Sequence, residues 1–330
     1  MKLIVEQGKK ESTELIESYV ANVVHSIHIV EQLTNHDMNM KNDEQIANDI
    51  YSIITSKEFN YQSKKKIEHN KKYIVSCLLK SISKNKIITF YYDLGGGYHA
   101  KITEDRLLDT EKYSVGFGEL LVLYQISKLY KKISRIYSPS IKFIIVIDNY
   151  VAYRVNKMPL ELTEKYCESF KQLIKSFNME SIIDIYMESS KSFIREKLDE
   201  YKTTEVVPIT QEEYQNIRRF VDYEISYEEA CGKQADYKYI CKCSDELISA
   251  DIGNCVRFLQ YSNSGEITFR PYPGGASRIQ CGLVGCYVRD ECVQPKLYTS
   301  KNYDDEFDIY KLEFNKKMSQ VKMVILKKSE

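Results

Sequence analysis

The sequence has no tryptophan, no net charge and no long apolar run. With 47 basic and 47 acidic residues among 330, the chain has no overall field that would hold a polyanion such as DNA. No stretch approaches the roughly 18 unbroken apolar residues of a membrane-spanning helix. The amino terminus has only a short apolar patch before charged residues resume, unlike a signal peptide. We therefore expect a cytoplasmic protein that binds neither nucleic acid nor membrane.

The common cofactor and metal motifs are also absent. No GxxxxGK[ST] loop and no GxGxxG fingerprint follows a predicted strand, so neither ATP nor NAD binding is indicated. The nine cysteines are irregularly spaced, unlike the paired C-x-x-C knuckles of zinc sites. Without an export signal, reduced thiols are expected rather than disulfides. The sequence thus predicts no cofactor and no metal.

Helical patterns dominate the first quarter of the chain. Between Glu14 and Leu33 apolar residues recur at steps of three and four, which predicts that the chain opens with an amphipathic helix. A second helical pattern covers about residues 45–56. A third, strongly basic pattern begins at Lys64, where the charges favour a solvated helix face.

Strand patterns begin after residue 85. The segment KIITFYYDLGGGYHAK (86–101) predicts a buried strand that runs into three glycines. IKFIIVID (141–148) is apolar on both faces, which is typical of a strand inside a covered, mostly parallel sheet. Helical patterns at 115–137 and 162–177, with the strand pattern SIIDIYM (181–187), complete a β-α-β arrangement.

The predicted fold is therefore α/β, with a Rossmann-like, mostly parallel sheet covered by helices. Residues 1–84 are expected to form an amino-terminal helical layer, and residues 85–330 an α/β catalytic core whose last third is rich in strands. Because no repeat or low-complexity linker separates these parts, one integrated domain is expected.

Candidate site residues follow the predicted strands. Ligands of open α/β sheets bind beyond the carboxyl ends of the strands. Asp148 ends its strand, and His99 and Lys101 follow the strand that ends near Asp93. From the residues alone, an Asp-Asn turn is an equally good interpretation of Asp148, and a surface lysine is the commoner interpretation of Lys101.

Arginines near glycine-rich turns form a second candidate group: Arg257, Arg270 and Arg278, the last two flanking PYPGGAS. Glycines let backbone N–H groups approach an oxyanion, and the guanidinium fork binds phosphate or carboxylate at two points. These residues predict a site for an anionic ligand.

In order along residues 85–275, these segments resemble the isonitrile (isocyanide) synthase family, also called the pyoverdine/dityrosine biosynthesis family. Residues 95–156 resemble its lysine-bearing loop, glutamate-led helix, Tyr-Pro turn and aspartate-ended strand. The matching residues there are Lys101, Glu119, Tyr137, Pro139 and Asp148. EEYQNIRRFVDYE resembles the family's arginine-phenylalanine-acid helix, with Arg219, Phe220 and Asp222 in step.

The chain departs from the family pattern in two places. NCVRFLQYS resembles the strand in which arginine is followed four residues later by histidine, but here Arg257 is followed by Tyr261. The family's Pro-Trp-His segment has no counterpart, since the chain has no tryptophan. These departures concern the acid–base chemistry and leave the predicted fold unaffected.

The resemblance implies an enzyme, a transferase or lyase, that converts the amine of an L-amino acid of tyrosine or tryptophan type to an isocyanide. Ribulose 5-phosphate would donate the carbon, and no cofactor would be needed. Lys101 and Arg257 would bind anionic groups, Glu119 and Asp148 would move protons or hold the ammonium, and His99 or Tyr261 would replace the missing histidine. Arg219, Arg270 and Arg278 complete the expected substrate-binding set.

Two other functions stay open at this point. A diverged relative could condense another amine with a sugar phosphate, which the missing histidine favours. A non-catalytic member of the fold could bind a small anionic ligand or a partner protein. An enzyme should bring Lys101, Asp148 and Arg257 to one pocket, whereas a binding module should leave them scattered. The sequence selects no oligomeric state, and a homodimer stays open.

Overall fold

The structure is a computed structural model. It describes residues 2–7, 13–28, 41–56, 58–59, 68, 71–95, 115, 117–156, 159–202, 205–220, 224–253, 256–258, 284–289, 292–297, 307–313 and 321–326. Within these residues the helices are α1 (Thr13–His28), α2 (Asp43–Ile54), α3 (Lys71–Ile82), α4 (Phe117–Ser134), α5 (Asn149–Asn156), α6 (Leu160–Ser176), α7 (Ser192–Glu200), α8 (Gln211–Phe220) and α9 (Tyr227–Ile252). None of these helices is long and apolar enough to cross a membrane.

A parallel sheet of four strands forms the centre of the fold. Its strands are β2 (Ile88–Gly95), β3 (Ile141–Ile147), β4 (Ile183–Met187) and β5 (Val256–Phe258), in the order β4-β3-β2-β5. Every neighbouring pair is parallel. The predicted α/β fold with a mostly parallel sheet is thus confirmed.

Both faces of this sheet are covered, which explains why β3 is apolar apart from Lys142. Phe143 and Ile145 face one core, where Phe143 stacks on Phe90 of β2 with ring centroids 5.4 Å apart. Val146 of β3 and Tyr91 of β2 face the opposite core. A strand buried on both sides cannot alternate apolar and polar residues, and this supports the interpretation of IKFIIVI as a central strand.

Helices divide between the two faces according to their apolar stripes. The face of Phe143 is covered by buried residues of α1, α2, α3, α4 and α6. The face of Val146 is covered by buried residues of α5, α7 and α9. A smaller cluster, Ile209, Ile217, Ile225, Ala230 and Cys231, joins α8 to the start of α9.

A second, mixed sheet combines the first strand with four strands from the end of the chain. They are β1 (Lys2–Gln7), β6 (Val284–Arg289), β7 (Cys292–Leu297), β8 (Phe307–Glu313) and β9 (Val321–Leu326), in the order β1-β8-β9-β6-β7. Helix α4 contacts β3 of the parallel sheet and also β6 and β9 of this one. The strand-rich carboxyl-terminal part was expected from the sequence.

The expectation that the chain opens with a helix is wrong for residues 2–7, because these residues form β1. Its antiparallel partner is β8, so the two ends of the chain meet in one sheet. A pairing over such a sequence distance leaves no local pattern. The boundary at residue 84 stays a prediction, and β1 connects the two parts on either side of it.

Helix α9 was not predicted, although it is the longest helix of the described residues. It begins with a reciprocal capping box, in which the Ser226 side chain accepts from the Glu229 amide and the Glu229 side chain accepts from the Ser226 amide. Its buried side includes Gln234 and Ser244 among apolar residues, which weakens the helical hydrophobic pattern. The capping box was the available sequence signal.

Candidate functional site

Three parallel strands end side by side at the carboxyl edge of the sheet. Gly95 at the end of β2 pairs with Ile147 at the end of β3, and Ile147 pairs with Met187 at the end of β4. The next residues along β3 and β4 are Asp148 and Glu188. Since Ile147 and Met187 are paired, Asp148 and Glu188 occupy equivalent positions on two adjacent strands. Such strands lie roughly 4.8 Å apart.

Asp148 links β3 to helix α5. Its side chain is half-buried, and its carbonyl accepts the first intrahelical bond, from the Ala152 amide, at 3.1 Å. This bond makes Asp148 the N-cap residue of α5. The Asp-Asn pair therefore does begin a helix here, while Asp148 also lies at the sheet edge where a ligand-binding residue was predicted.

Glu188 is fully buried beside this helix terminus. Its Oε2 accepts hydrogen bonds from the amides of Tyr150 and Val151, each at 3.0 Å, and its Oε1 pairs with the Ser244 hydroxyl of α9. Burial raises the pKa of Glu188 to about 7, and the negative charge of Asp245 acts in the same direction. The Ser244 hydroxyl and the two amides oppose this rise.

Sequence reasoning missed Glu188, although the signal was present. The rule that selected Asp148, an acidic residue directly after a buried strand, also selects the glutamate that follows SIIDIYM. What the sequence lacks is the partner set, because Ser244 lies on the helix that was not predicted.

A buried polar network fixes the residues that follow the two strands. Asn149 Nδ2 donates to Ser189 Oγ at 2.7 Å, and the Ser189 amide donates to Asn149 Oδ1 at 2.9 Å. The Ser189 hydroxyl donates to Glu164 Oε1 of α6 at 3.1 Å. Asn149 and Ser189 are both buried. Buried polar groups whose hydrogen bonds are satisfied hold the chain in one conformation. The network extends the pairing of β3 and β4 by side-chain contacts.

Glu119 lies in the first turn of α4 and is fully buried. The hydroxyl of Tyr166 on α6, itself 1% exposed, donates to Glu119 Oε1 at 2.9 Å. The amino-terminal turn of a helix favours a negative charge, and a buried carboxyl group needs hydrogen-bond donors. Glu119 therefore has a structural role between α4 and α6, and its predicted part in proton transfer stays a prediction.

Removing the Tyr166 hydroxyl should measurably destabilise the protein. Tyr166→Phe deletes a donor to a buried carboxyl group, and we expect a loss of about 1–3 kcal/mol in the free energy of unfolding, measured by urea denaturation. Tyr153→Phe is the matched control, because Tyr153 is 45% exposed and its hydroxyl should matter by less than about 0.5 kcal/mol. Equal stability of the two variants would contradict the assigned contact.

The arginines of the predicted set are located by their backbone elements. Arg257 belongs to β5 and pairs in register with Tyr91 of β2. Arg219 belongs to α8. This helix packs against the start of α9 in a cluster separate from the two cores that cover the sheet. The other predicted site residues, namely His99, Lys101, Tyr261, Arg270 and Arg278, lie outside the described residues, as does the basic stretch at Lys64.

Cysteines and metal ligands add no site to the described part of the chain. No group of three or more His, Cys, Asp or Glu residues is placed there to hold a metal. Cys77, Cys167, Cys231 and Cys243 form no disulfide. Burial raises the pKa of the Cys167 thiol to about 12, which keeps it protonated and unreactive at neutral pH.

No family model and no curated protein sequence matches the chain. Among solved structures, the chain resembles the crystal structure of the PvcA protein from Pseudomonas aeruginosa, with a TM-score of 0.60 and 14% sequence identity. The match covers 86% of this chain and 100% of the PvcA chain. The two proteins share a fold over nearly their whole lengths.

Proposed function

We propose that this protein is a divergent isonitrile synthase. It would convert the amine of an L-amino acid of tyrosine or tryptophan type to an isocyanide, with ribulose 5-phosphate as the carbon donor. The ordered motifs of the sequence support the family, and the fold shared with PvcA is consistent with the α/β fold that the resemblance implies. Both substrates are small molecules, and the proposal requires neither nucleic acid nor a membrane.

The observation that carries the proposal is the order of the parallel sheet. The chain adds β3 and β4 on one side of β2, and later adds β5 on the other side. Ligands of such sheets bind beyond the carboxyl ends where this order reverses, here between β2 and β5. In the sequence, His99 and Lys101 follow β2, and Tyr261, Arg270 and Arg278 follow β5. Five of the residues chosen for anion binding and proton transfer thus follow the two strands that flank this point.

Each proposed role matches a need of the reaction. The amine would condense with the ketone of the sugar, and later steps would eliminate phosphate and fragment the sugar. Lys101, Arg257 of β5 and the arginines after β5 would hold the phosphate and carboxylate groups by charge-assisted hydrogen bonds. Asp148, half-buried at the end of β3, would bind the substrate ammonium or move its proton.

Incubation with ribulose 5-phosphate and each of the twenty amino acids tests this proposal, with an isocyanide product sought by mass spectrometry. We expect a product with an aromatic amino acid. Ribitol 5-phosphate is the control for the sugar, because it has the phosphate but no ketone and cannot condense with an amine. If no pairing gives a product and the ribulose 5-phosphate stays intact, the proposal is wrong.

Tyr261 favours a second candidate function. It stands where the family has histidine, and a phenol transfers protons in a different pH range from an imidazole. A diverged enzyme could therefore condense another amine with the sugar phosphate and stop at a different product. The same incubations distinguish this case, because the sugar phosphate would be consumed without an isocyanide being formed.

A further inference from the structure

The amino terminus of helix α5 is capped by a side chain from another strand. An aspartate at the N-cap usually accepts a hydrogen bond from the second or third amide of its own helix. In α5 these are the amides of Tyr150 and Val151, and both donate to Glu188 Oε2 at 3.0 Å. Glu188 thus supplies, from the neighbouring strand end, an acceptor for both amides.

Three elements converge on the Glu188 carboxyl group. Glu188 follows β4, its Oε2 accepts from the start of α5, and its Oε1 pairs with Ser244 of α9. The next residue, Ser189, bonds to Asn149, the residue after Asp148. Asp148 therefore lies in a turn held by contacts from the adjacent strand end and from α9.

The cap does not depend on the protonation state of Glu188. One carboxyl oxygen has two lone pairs and accepts both amides whether the group is ionised or neutral. The other oxygen accepts from the Ser244 hydroxyl when Glu188 is ionised and donates to it when Glu188 is protonated. A proton can therefore be gained or lost here without releasing the helix terminus.

We propose that Glu188 is a positioning residue for Asp148: by binding both amides, it fixes the turn after β3 and so holds Asp148 in place at the edge of the sheet. This inference rests on the proposed function, in which Asp148 contacts the substrate amine. Glu188 itself is fully buried, so it has no exposed surface to offer a substrate. Its effect would reach Asp148 through the backbone of Tyr150 and Val151.

Two substitutions separate position from charge. In Glu188→Gln, the amide oxygen still accepts both backbone N–H groups and the NH₂ group donates to Ser244, so turnover should stay within about threefold of wild type. In Glu188→Ala, both amides lose their acceptor, and we expect kcat to fall at least tenfold with a smaller change in KM. Amide hydrogen exchange of the peptide that spans residues 148–152 should be unchanged in the first variant and faster in the second.

Asn42→Ala is the matched control. Asn42 caps α2 with a reciprocal capping box and a hydrogen bond of 2.9 Å from the Gln45 amide, and α2 packs on the face of the sheet opposite to α5. Loss of this cap should speed exchange at the start of α2 and leave turnover unchanged. If Glu188→Ala does not fold, Glu188→Asp, whose carboxylate is one methylene shorter, has the same expected results.

Several results would overturn the inference. Unchanged amide exchange in Glu188→Ala would show that Glu188 does not cap α5. Faster exchange with normal turnover would show that the cap stabilises the fold but has no part in turnover. Loss of turnover in Glu188→Gln, with amide exchange as slow as in wild type, would show that Glu188 acts by gaining or losing a proton rather than by holding the turn. Exchange is measured on the protein alone. If wild type forms no product while Glu188→Ala exchanges faster, the proposed function is wrong. The positioning role of Glu188 is then wrong as well, and only the capping of α5 by Glu188 is supported.

Discussion

Replacing Lys101 by alanine is expected to abolish formation of the isocyanide while the protein stays folded. Lys101 lies six residues after Gly95, the last residue of β2. In the proposed function its side chain binds an anionic group of the substrate. Removing a charged donor that holds a reacting substrate costs about a hundredfold or more in rate, because both binding and orientation are lost. Product formation by mass spectrometry gives the rate, and circular dichroism reports the fold.

Lys84→Ala is the control for the loss of one positive charge. Lys84 is an exposed residue between α3 and the start of β2, so it lies toward the amino end of the strand rather than the carboxyl end. This variant should react at the wild-type rate. A Lys101→Ala protein that still forms product at that rate would remove the role assigned to Lys101, and a Lys101→Arg protein should retain part of the activity because it keeps the charge.

The central sheet was predictable because its signals are local. A run that is apolar on both faces, as in IKFIIVI, has only one common environment, the interior of a covered sheet. Thr210 and Glu213 stand at capping-box spacing before α8, and the structure contains the reciprocal bonds between them. Patterns within a few residues of each other therefore predicted a mostly parallel sheet covered by helices.

What the sequence did not predict depends on distant partners. β1 is a strand because β8 pairs with it from the other end of the chain. Helix α9 places polar Gln234 and Ser244 on its buried side, where a hydrophobic pattern is normally sought. Ser244 is buried there because it pairs with Glu188, and neither residue alone indicates the other.

The candidate site shows the same division. Asp148 was found because the end of a central strand is visible in the sequence, and β3 does end beside it. Glu188 has an equivalent position on the next strand, but its importance comes from full burial and from partners on α5 and α9. Such a constellation becomes visible only when the strands are aligned in register.

Glu188 should also give the protein a pH-dependent stability that Glu188→Gln lacks. Burial raises the pKa of Glu188 from the model-compound value of 4.5 to about 7 in the folded protein. A group with a raised folded-state pKa stabilises the fold when it is protonated. This contribution is complete below pH 4.5, and it is lost as the pH rises through the folded-state pKa of about 7.

The expected size follows from the shift. Each unit of pKa corresponds to about 1.4 kcal/mol, so wild type should lose on the order of 3 kcal/mol between pH 4.5 and pH 8 relative to Glu188→Gln, whose side chain does not titrate. Urea unfolding of both proteins at these two pH values measures it, and the difference between the proteins cancels the groups that titrate in both. A parallel pH dependence in the two proteins would mean that the two amides and Ser244 outweigh the burial of Glu188, so that the carboxyl group stays ionised inside the fold at neutral pH.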